Sequence, residues 1–188
     1  MNTVTIQTPF SVEDFEAFVE REENADKLFE FIGGQIIEVP SNTYVSAIAA
    51  LIAFYVRLFL REHGLQGQVT GAAGGYIIAG EHYAPDVAYI SAAKQPEPWK
   101  SGYNPVPPDL AVEVVSSDRA DEAHRLRIKV TNYLLEGVTV WVVRPEDKVI
   151  EVHAPGQPVK LYREADTLDG GAVLPEFALP VAEVFQVM

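Results

Sequence analysis

The chain has 188 residues, 48% hydrophobic and 22% charged, a composition typical of one globular domain and unlike that of a disordered chain. It contains no cysteine, which excludes disulfides, thiolate metal sites and a cysteine nucleophile. The formal net charge of −13 argues against broad attraction to nucleic acid, because nonspecific binding depends on many Lys and Arg contacts to phosphates.

The N-terminal segment predicts a short helix followed by a β-hairpin. Ser11 is a candidate helix N-cap with Asp14 in the capping-box position, and this helix is expected to end near Glu23. The run FEFIGGQIIEV at 29–39 then predicts two strands around a Gly-Gly pair, which tolerates the positive φ angles of a tight turn.

A long buried helix is predicted next. From Asn42 to His63 the apolar residues recur at three and four, and Gly64 supplies a C-terminal stop. The apolar stretch within this helix is interrupted by Arg57 and falls short of the roughly 20 residues that cross a bilayer, so no membrane association is expected. The N-terminus has no basic region followed by an apolar run, so the cytoplasm is the expected location.

The rest of the chain alternates short strands with one more helix. Strands are predicted at 68–70, 76–79, 87–90, 110–115, 138–143 and 149–153, and a helix at 119–136. We predict a single domain over 1–188, with the first helix at about 11–23, a core at about 28–155 and a loop-rich segment at 156–188. The element order indicates a central mixed sheet flanked by at least two helices, an α/β or α+β architecture with an N-terminal hairpin.

Two carboxylates occupy unusual positions in the predicted strands. Asp86 follows Pro85 at the start of one apolar strand, and Glu113 lies inside another, where an uncompensated carboxylate costs free energy. Acids on neighbouring strands can share a divalent cation, with the backbone carbonyl of Val114 as a candidate third oxygen and a bound water as the nucleophile. The alternative is that Asp86 caps a turn and Glu113 faces solvent, and spacing alone favours that alternative.

Lys129 and Glu30 are the other candidates. Lys129 flanks the apolar stripe of the second helix, so its ammonium group either reaches the acids, to orient water or stabilise charge on a phosphate, or extends to solvent. Glu30 alternates with Leu28 and Ile32 on one face of the hairpin, and that face is either buried or exposed. The four histidines show no close pairing, so a zinc site is not expected.

Five segments in chain order carry a more specific pattern. They are FEFIGGQIIEVPS at 29–41, YAPDVAYIS at 83–91, DLAVEVVSSDRADEAHRLRIKV at 109–130, NYLLEGVTVWVVRPEDKVIEVH at 132–153 and TLDGGAVLPEFALPVAEVF at 167–185. Together they resemble the Uma-two family of endonucleases, in the restriction-endonuclease-like PD-(D/E)XK superfamily. The resemblance implies a mixed four- or five-stranded sheet core with flanking helices, and hydrolysis of phosphodiester bonds in DNA.

The resemblance also implies roles for individual residues. Asp86 and Glu113 correspond to the acids that bind Mg²⁺, with Mn²⁺ as an alternative. In the usual superfamily pattern a lysine stands two residues after the glutamate that corresponds to Glu113, but this chain has Val115 there. The family supplies the lysine from the following helix, which points to Lys129. The segment before Lys129 is longer than usual, so Arg125 is the alternative source of the cation.

Glu30 corresponds to the acid of the family's N-terminal hairpin. The chain departs from the family at Tyr44, where many relatives have a histidine, and in having SSD where the family has S-P-S. These departures and the acidic net charge leave a second hypothesis open, a catalytically degenerate binding or regulatory module that keeps the nuclease fold. Because related nucleases commonly act as dimers, we expect a homodimer.

Overall fold

The computed structural model describes residues 9–39, 42–117 and 119–186, which form four α-helices and twelve strands. The helices are α1 (Val12–Val19), α2 (Thr43–Glu62), α3 (Ala120–Leu135) and α4 (Val181–Val184). The strands are β1 (Phe29–Ile32), β2 (Gln35–Glu38), β3 (Gly67–Gly71), β4 (Tyr76–Ile78), β5 (Glu81–Tyr83), β6 (Val87–Ser91), β7 (Leu110–Val114), β8 (Thr139–Arg144), β9 (Val149–His153), β10 (Lys160–Arg163), β11 (Thr167–Asp169) and β12 (Ala178–Pro180).

A six-stranded sheet in the order β10-β9-β8-β7-β6-β3 lies at the centre. Strands β7 and β8 pair in parallel, whereas the other neighbours in this sheet pair antiparallel, so the predicted mixed sheet with flanking helices is confirmed. Parallel neighbours need a crossover connection, and α3 provides it. The sheet has six strands instead of four or five, and one of its edges, β10, lies in the segment expected to be loop-rich.

The two faces of the central sheet are covered by different helices. In β7, Leu110, Val112 and Val114 belong to the apolar core beneath α2, whereas Ala111 belongs to the core beneath α3. Because successive side chains of a strand point to opposite faces, Glu113 falls on the α3 side with Ala111. The position of Glu113 on the α3 side of the sheet therefore follows from the alternation of side chains along β7.

A smaller sheet, in the order β2-β1-β5-β4, lies beside the first. The predicted hairpin is confirmed, and its turn places Gly33 and Gly34 at φ +56° and +77°. Strand β5 was not predicted, because three residues are too few for a clear period. It pairs with β1 through Phe31 and His82 and with β4 along its whole length, so it joins the N-terminal hairpin to the rest of the fold.

Helix α1 begins as predicted, with a capping box between Ser11 and Asp14, but it ends at Val19 instead of near Glu23. The side-chain amide of Asn24 donates a hydrogen bond of 2.7 Å to the carbonyl oxygen of Phe18. This bond satisfies a carbonyl group at the end of the helix, so the chain can turn into a short 3-10 segment.

Helix α2 is the one helix in the described ranges that is long and apolar enough, by length and composition, to cross a membrane. Its N-cap, Asn42, accepts hydrogen bonds from the backbone of Tyr44 and Val45. One side of the helix, including Ile48, Ile52 and Val56, is buried in the core against the central sheet. The predicted helix from Asn42 to His63 is thus confirmed, with both residues as its caps.

The edge strand β3 provides a test of close packing beside β6. A Cβ atom at Gly67 would lie 2.6 Å from the ring of Tyr89 and 2.8 Å from the carbonyl oxygen of Ile90, whereas one at Gly71 would meet no atom within 4 Å. We expect Gly67→Ala to lower the free energy of unfolding by about 1–3 kcal/mol through overpacking. Chemical denaturation should show a change within about 0.5 kcal/mol for Gly71→Ala, the matched control. Equal effects of the two substitutions would contradict this account.

Candidate functional site

A cleft of about 310 Å³ opens between the N-terminal hairpin, the central sheet and the first half of α3. All the residues that the sequence singled out for chemistry line it, namely Glu30, Asp86, Glu113, Val114, Arg125 and Lys129. They come from four separate parts of the chain, so this cleft is the candidate functional site.

Asp86 and Glu113 are neighbours because β6 and β7 pair antiparallel. Asp86 immediately precedes Val87, which lies opposite Val112 in the register of the two strands. The backbone N–H of Val114 donates a hydrogen bond of 2.7 Å to Oδ2 of Asp86. This bond holds the Asp86 carboxylate at the end of β7. The carboxylate therefore lies beside the backbone of Val114, whose carbonyl oxygen is the candidate third metal ligand.

Lys129 joins two of the acids. Its Nζ lies 2.6 Å from Oε2 of Glu113 and 2.8 Å from Oε1 of Glu30, and its side chain is 7% exposed. The ring of Tyr83 lies on another side of the ammonium group, 5.6 Å from Nζ to the ring centroid. The lysine is therefore directed inward, and not to solvent.

The carboxylate oxygens of the three acids differ in the hydrogen bonds that they accept. The hydroxyl of Tyr133 donates a 3.0 Å hydrogen bond to Oε1 of Glu113, so both oxygens of this carboxylate accept a bond. The N–H of Ala84 donates to Oε1 of Glu30 at 2.8 Å. Within the described ranges no donor reaches Oδ1 of Asp86, which leaves this oxygen available to a ligand in the cleft.

Three carboxylates lie near one ammonium group, which contacts two of them, so the cluster has an excess of negative charge. Burial raises the pKa of Glu113 to about 7; Lys129 opposes this increase, and Glu30 and Asp86 add to it. Burial also raises the pKa of Asp86, against the opposing effects of the Val114 N–H and Lys129. Burial would lower the pKa of Lys129, but the carboxylates of Glu113 and Glu30 outweigh it and raise that pKa.

The donor set fits a magnesium ion held by few protein ligands. Across the described ranges, no three acidic or histidine side chains are grouped closely enough to bind one metal ion. Mg²⁺ is commonly bound by one or two carboxylates and keeps several waters, and Asp86 and Glu113 offer such a pair of hard oxygen ligands. The excess negative charge of the buried acids also favours a bound cation.

Arg125 and Tyr44 occupy peripheral positions. Arg125 lines the cleft, but its guanidinium donates to Asp121 at 3.2 Å, and it is Lys129 that contacts the acids. Tyr44 is exposed on α2 and is absent from the cleft lining, although its neighbours Asn42 and Val45 belong to it. The position at which the family resemblance implied a histidine therefore lies outside the cleft.

Tyr133 is a residue of the site that the sequence did not reveal. It is fully buried and belongs to the apolar core beneath α3. Its spacing of one helical turn from Lys129 places both on the same face, and this spacing was the one available signal. Two serines after β7, Ser116 and Ser117, also line the cleft.

Comparison with known proteins agrees with this fold. A family model described as "Putative restriction endonuclease" matches residues 12–182. A crystal structure of "a putative nuclease belonging to DUF820" from Anabaena variabilis ATCC 29413 is similar, with a TM-score of 0.79 and 17% identity over 95% of this chain and 99% of that chain. At this identity the likeness shows the fold alone, and no curated protein matches the chain. Because the family match covers most of its length, the chain belongs to the Uma-two (Uma2) family, as its sequence motifs predicted.

Proposed function

We propose that this protein is a metal-dependent endonuclease that hydrolyses phosphodiester bonds in DNA. The observation that carries the proposal is the meeting of Asp86, Glu113, Glu30 and Lys129, which are remote in sequence, at one cleft. Membership of a restriction-endonuclease family supports the reaction class and a nucleic acid substrate. A buried group of acids with one ammonium group is costly for stability, and binding a cation and a phosphate would explain its presence.

Each residue has a distinct role in the proposed reaction. Asp86 and Glu113 would hold Mg²⁺ or Mn²⁺, with the Val114 carbonyl as a candidate further ligand. When bound, the ion would lower the pKa of a water molecule and stabilise the charge of the transition state. Lys129 holds Glu113 in place and, being buried and charged, stabilises negative charge that develops on a phosphate oxygen. Glu30 positions Lys129 from the opposite side.

The acidic net charge of −13 limits how DNA could be held. Nonspecific attraction to phosphates would be weak, so binding would depend on the cation and on contacts inside the cleft. Ser116, Ser117 and Arg125 line the cleft and offer hydrogen-bond donors to a phosphate group.

A catalytically degenerate binding or regulatory module is the second candidate function. It is favoured by Lys129, whose ammonium group already compensates Glu30 and Glu113 without a metal ion. Metal binding that depends on Asp86 distinguishes the two candidates, because a degenerate site would show none. A homodimer and a cytoplasmic location stay predictions.

The metal-ligand roles can be tested by replacing acids with amides. We expect Asp86→Asn and Glu113→Gln each to weaken Mg²⁺ binding by more than the roughly 10- to 100-fold that follows loss of an outer-shell partner, and to abolish plasmid nicking. Isothermal titration calorimetry and plasmid assays with Mg²⁺ or Mn²⁺ would measure this. Glu164→Gln is the matched control, because Glu164 is exposed and pairs with Lys148 outside the cleft. Unchanged nicking by the two site variants would refute the proposal.

The source of the catalytic cation can be tested by comparing the lysine and the arginine of α3. Lys129→Met removes the ammonium group that contacts both acids, so the cleavage rate should fall by a factor on the order of 10² to 10³. Arg125→Met removes a side chain at the rim that pairs with Asp121, and its effect on single-turnover cleavage should be much smaller. A larger loss for Arg125→Met would assign the role to the arginine.

The raised pKa of Glu113 predicts how stability depends on pH in the metal-free protein. The folded protein holds the Glu113 proton more tightly than the unfolded chain, since the pKa rises from 4.5 to about 7. This contribution is complete below about pH 4.5 and is lost as pH rises through about 7, so the free energy of unfolding should decrease over that range. In EDTA, denaturation of Glu113→Gln should show a shallower decrease. Parallel curves for the two proteins would contradict the assignment.

A further inference from the structure

A hydrogen-bonded cluster lies next to the candidate site, and we call it the support cluster. It consists of Glu81 and Tyr83 on β5 and Asn132 on α3. Glu81 is half-buried and Tyr83 is fully buried. None of the three belongs to the lining of the cleft among the described residues, so a ligand in the cleft would not touch them.

The carboxylate of Glu81 connects three elements of the fold. Its Oε1 accepts a hydrogen bond of 2.6 Å from the backbone N–H of Gly33 in the hairpin turn. Its Oε2 accepts one bond from the hydroxyl of Tyr83 and another, of 3.2 Å, from Nδ2 of Asn132. This one side chain therefore links the N-terminal hairpin, β5 and α3.

The support cluster also holds the ring of Tyr83. The Tyr83 hydroxyl donates to Glu81 and accepts a hydrogen bond of 2.7 Å from Nδ2 of Asn132. Burial and the Glu81 carboxylate raise the pKa of this hydroxyl well above its usual range, so it stays protonated and remains a donor. Alternation along β5 directs His82 to the opposite side of the small sheet, against Phe15, so the Tyr83 ring is held on the side of α3.

The ring of Tyr83 contacts two groups of the candidate site. Nζ of Lys129 lies over the ring, 5.6 Å from its centroid, where an ammonium group is attracted to the aromatic face. The ring of Tyr133 packs edge to face against it, with the centroids 5.4 Å apart, and the Tyr133 hydroxyl donates to Glu113. The position of Tyr83 therefore affects both the cation of the site and one of its acids.

The ammonium group of Lys129 needs such a support because it is a point charge at the end of a flexible four-carbon chain. The carboxylates of Glu30 and Glu113 attract it in the metal-free protein. In binding a cation, as proposed above, Glu113 would offer less negative charge to Lys129. Hard cations take oxygen ligands, so the aromatic face of Tyr83 would keep its attraction for the ammonium group in both states.

We propose that Tyr83 and Glu81 are positioning residues of Lys129: the Glu81 carboxylate holds the Tyr83 ring, and the ring holds the ammonium group. The inference rests on the catalytic role proposed for Lys129 and extends it to residues outside the cleft. Because these residues do not touch a ligand, their loss should lower kcat and leave KM nearly unchanged.

Nuclear magnetic resonance of the Lys129 ammonium group tests the positioning without metal ion or DNA. In the wild-type protein this buried group should exchange slowly with water and give a resolved proton–nitrogen correlation, which Lys129→Met identifies by its loss. Tyr83→Phe keeps the ring and should keep the signal, whereas Tyr83→Leu should broaden or abolish it. Tyr162→Leu is the matched control, because the Tyr162 hydroxyl donates to Asp169 outside the cleft. An unchanged signal in folded Tyr83→Leu would overturn the proposal.

Glu81 provides a second variant, because a half-buried side chain can be removed even if the chain does not fold without the Tyr83 ring. Glu81→Ala should weaken the Lys129 signal. Asp169→Ala, which removes the corresponding acceptor of the Tyr162 hydroxyl, should leave it unchanged. Circular dichroism would show that each variant folds, and equal signals in the two alanine variants would overturn the role of Glu81.

Cleavage kinetics connects the positioning to the proposed reaction. With Mg²⁺ and plasmid DNA, Tyr83→Leu should lower kcat about five- to thirtyfold at nearly constant KM, as expected for the loss of a desolvated cation–π contact, and Tyr83→Phe should lower it less. A loss confined to KM would contradict a positioning role. If the wild-type protein does not cleave DNA, the proposed function fails, and the ammonium signal still decides whether Tyr83 holds Lys129.

Discussion

The contact of the Lys129 ammonium group with two carboxylates is the constraint on which the site depends. Glu30 and Glu113 are buried, and removing charges from water costs several kcal/mol per ion unless the geometry and hydrogen bonds compensate it. Compensation here needs all three chain segments in place at once, together with the N–H of Ala84 and the hydroxyl of Tyr133. The ion cluster therefore links β1, β7 and α3 more specifically than apolar packing alone would.

The topology of the central sheet meets this constraint through one parallel strand pair. The crossover from β7 to β8 carries α3 over the sheet face to which Glu113 points, so lysine and glutamate come from consecutive elements. The order of the first three helices and of most strands was predictable from apolar periodicity. Strands β5, β10, β11 and β12 and the short helix α4 were not, because segments of three or four residues provide too little periodicity.

The candidate site was predictable to different degrees. Asp86 and Glu113 could be singled out because burying a carboxylate at the start of or inside an apolar strand costs free energy unless a partner offsets it. Their spacing in the sequence did not predict that the two side chains lie close together. Lys129 required the family resemblance, since flanking an apolar stripe is equally compatible with solvent exposure. The alternation of side chains predicted which face of the hairpin carries Glu30, but it did not predict that this face is buried. The role of the Tyr133 hydroxyl was not predictable, because Tyr133 fits the apolar pattern of its helix. The catalytic roles of these residues stay predictions.

The separation in sequence between Glu30 and Lys129 has a consequence for folding. These residues stand 99 positions apart, and contacts between such distant segments form slowly because a long loop must close first. Glu113 and Lys129, 16 positions apart, can meet as soon as one strand and its following helix pack together. Because the contact of Glu30 closes the longer loop, we expect docking of the N-terminal hairpin to complete the cluster last, so a partly folded chain would have a half-built cleft.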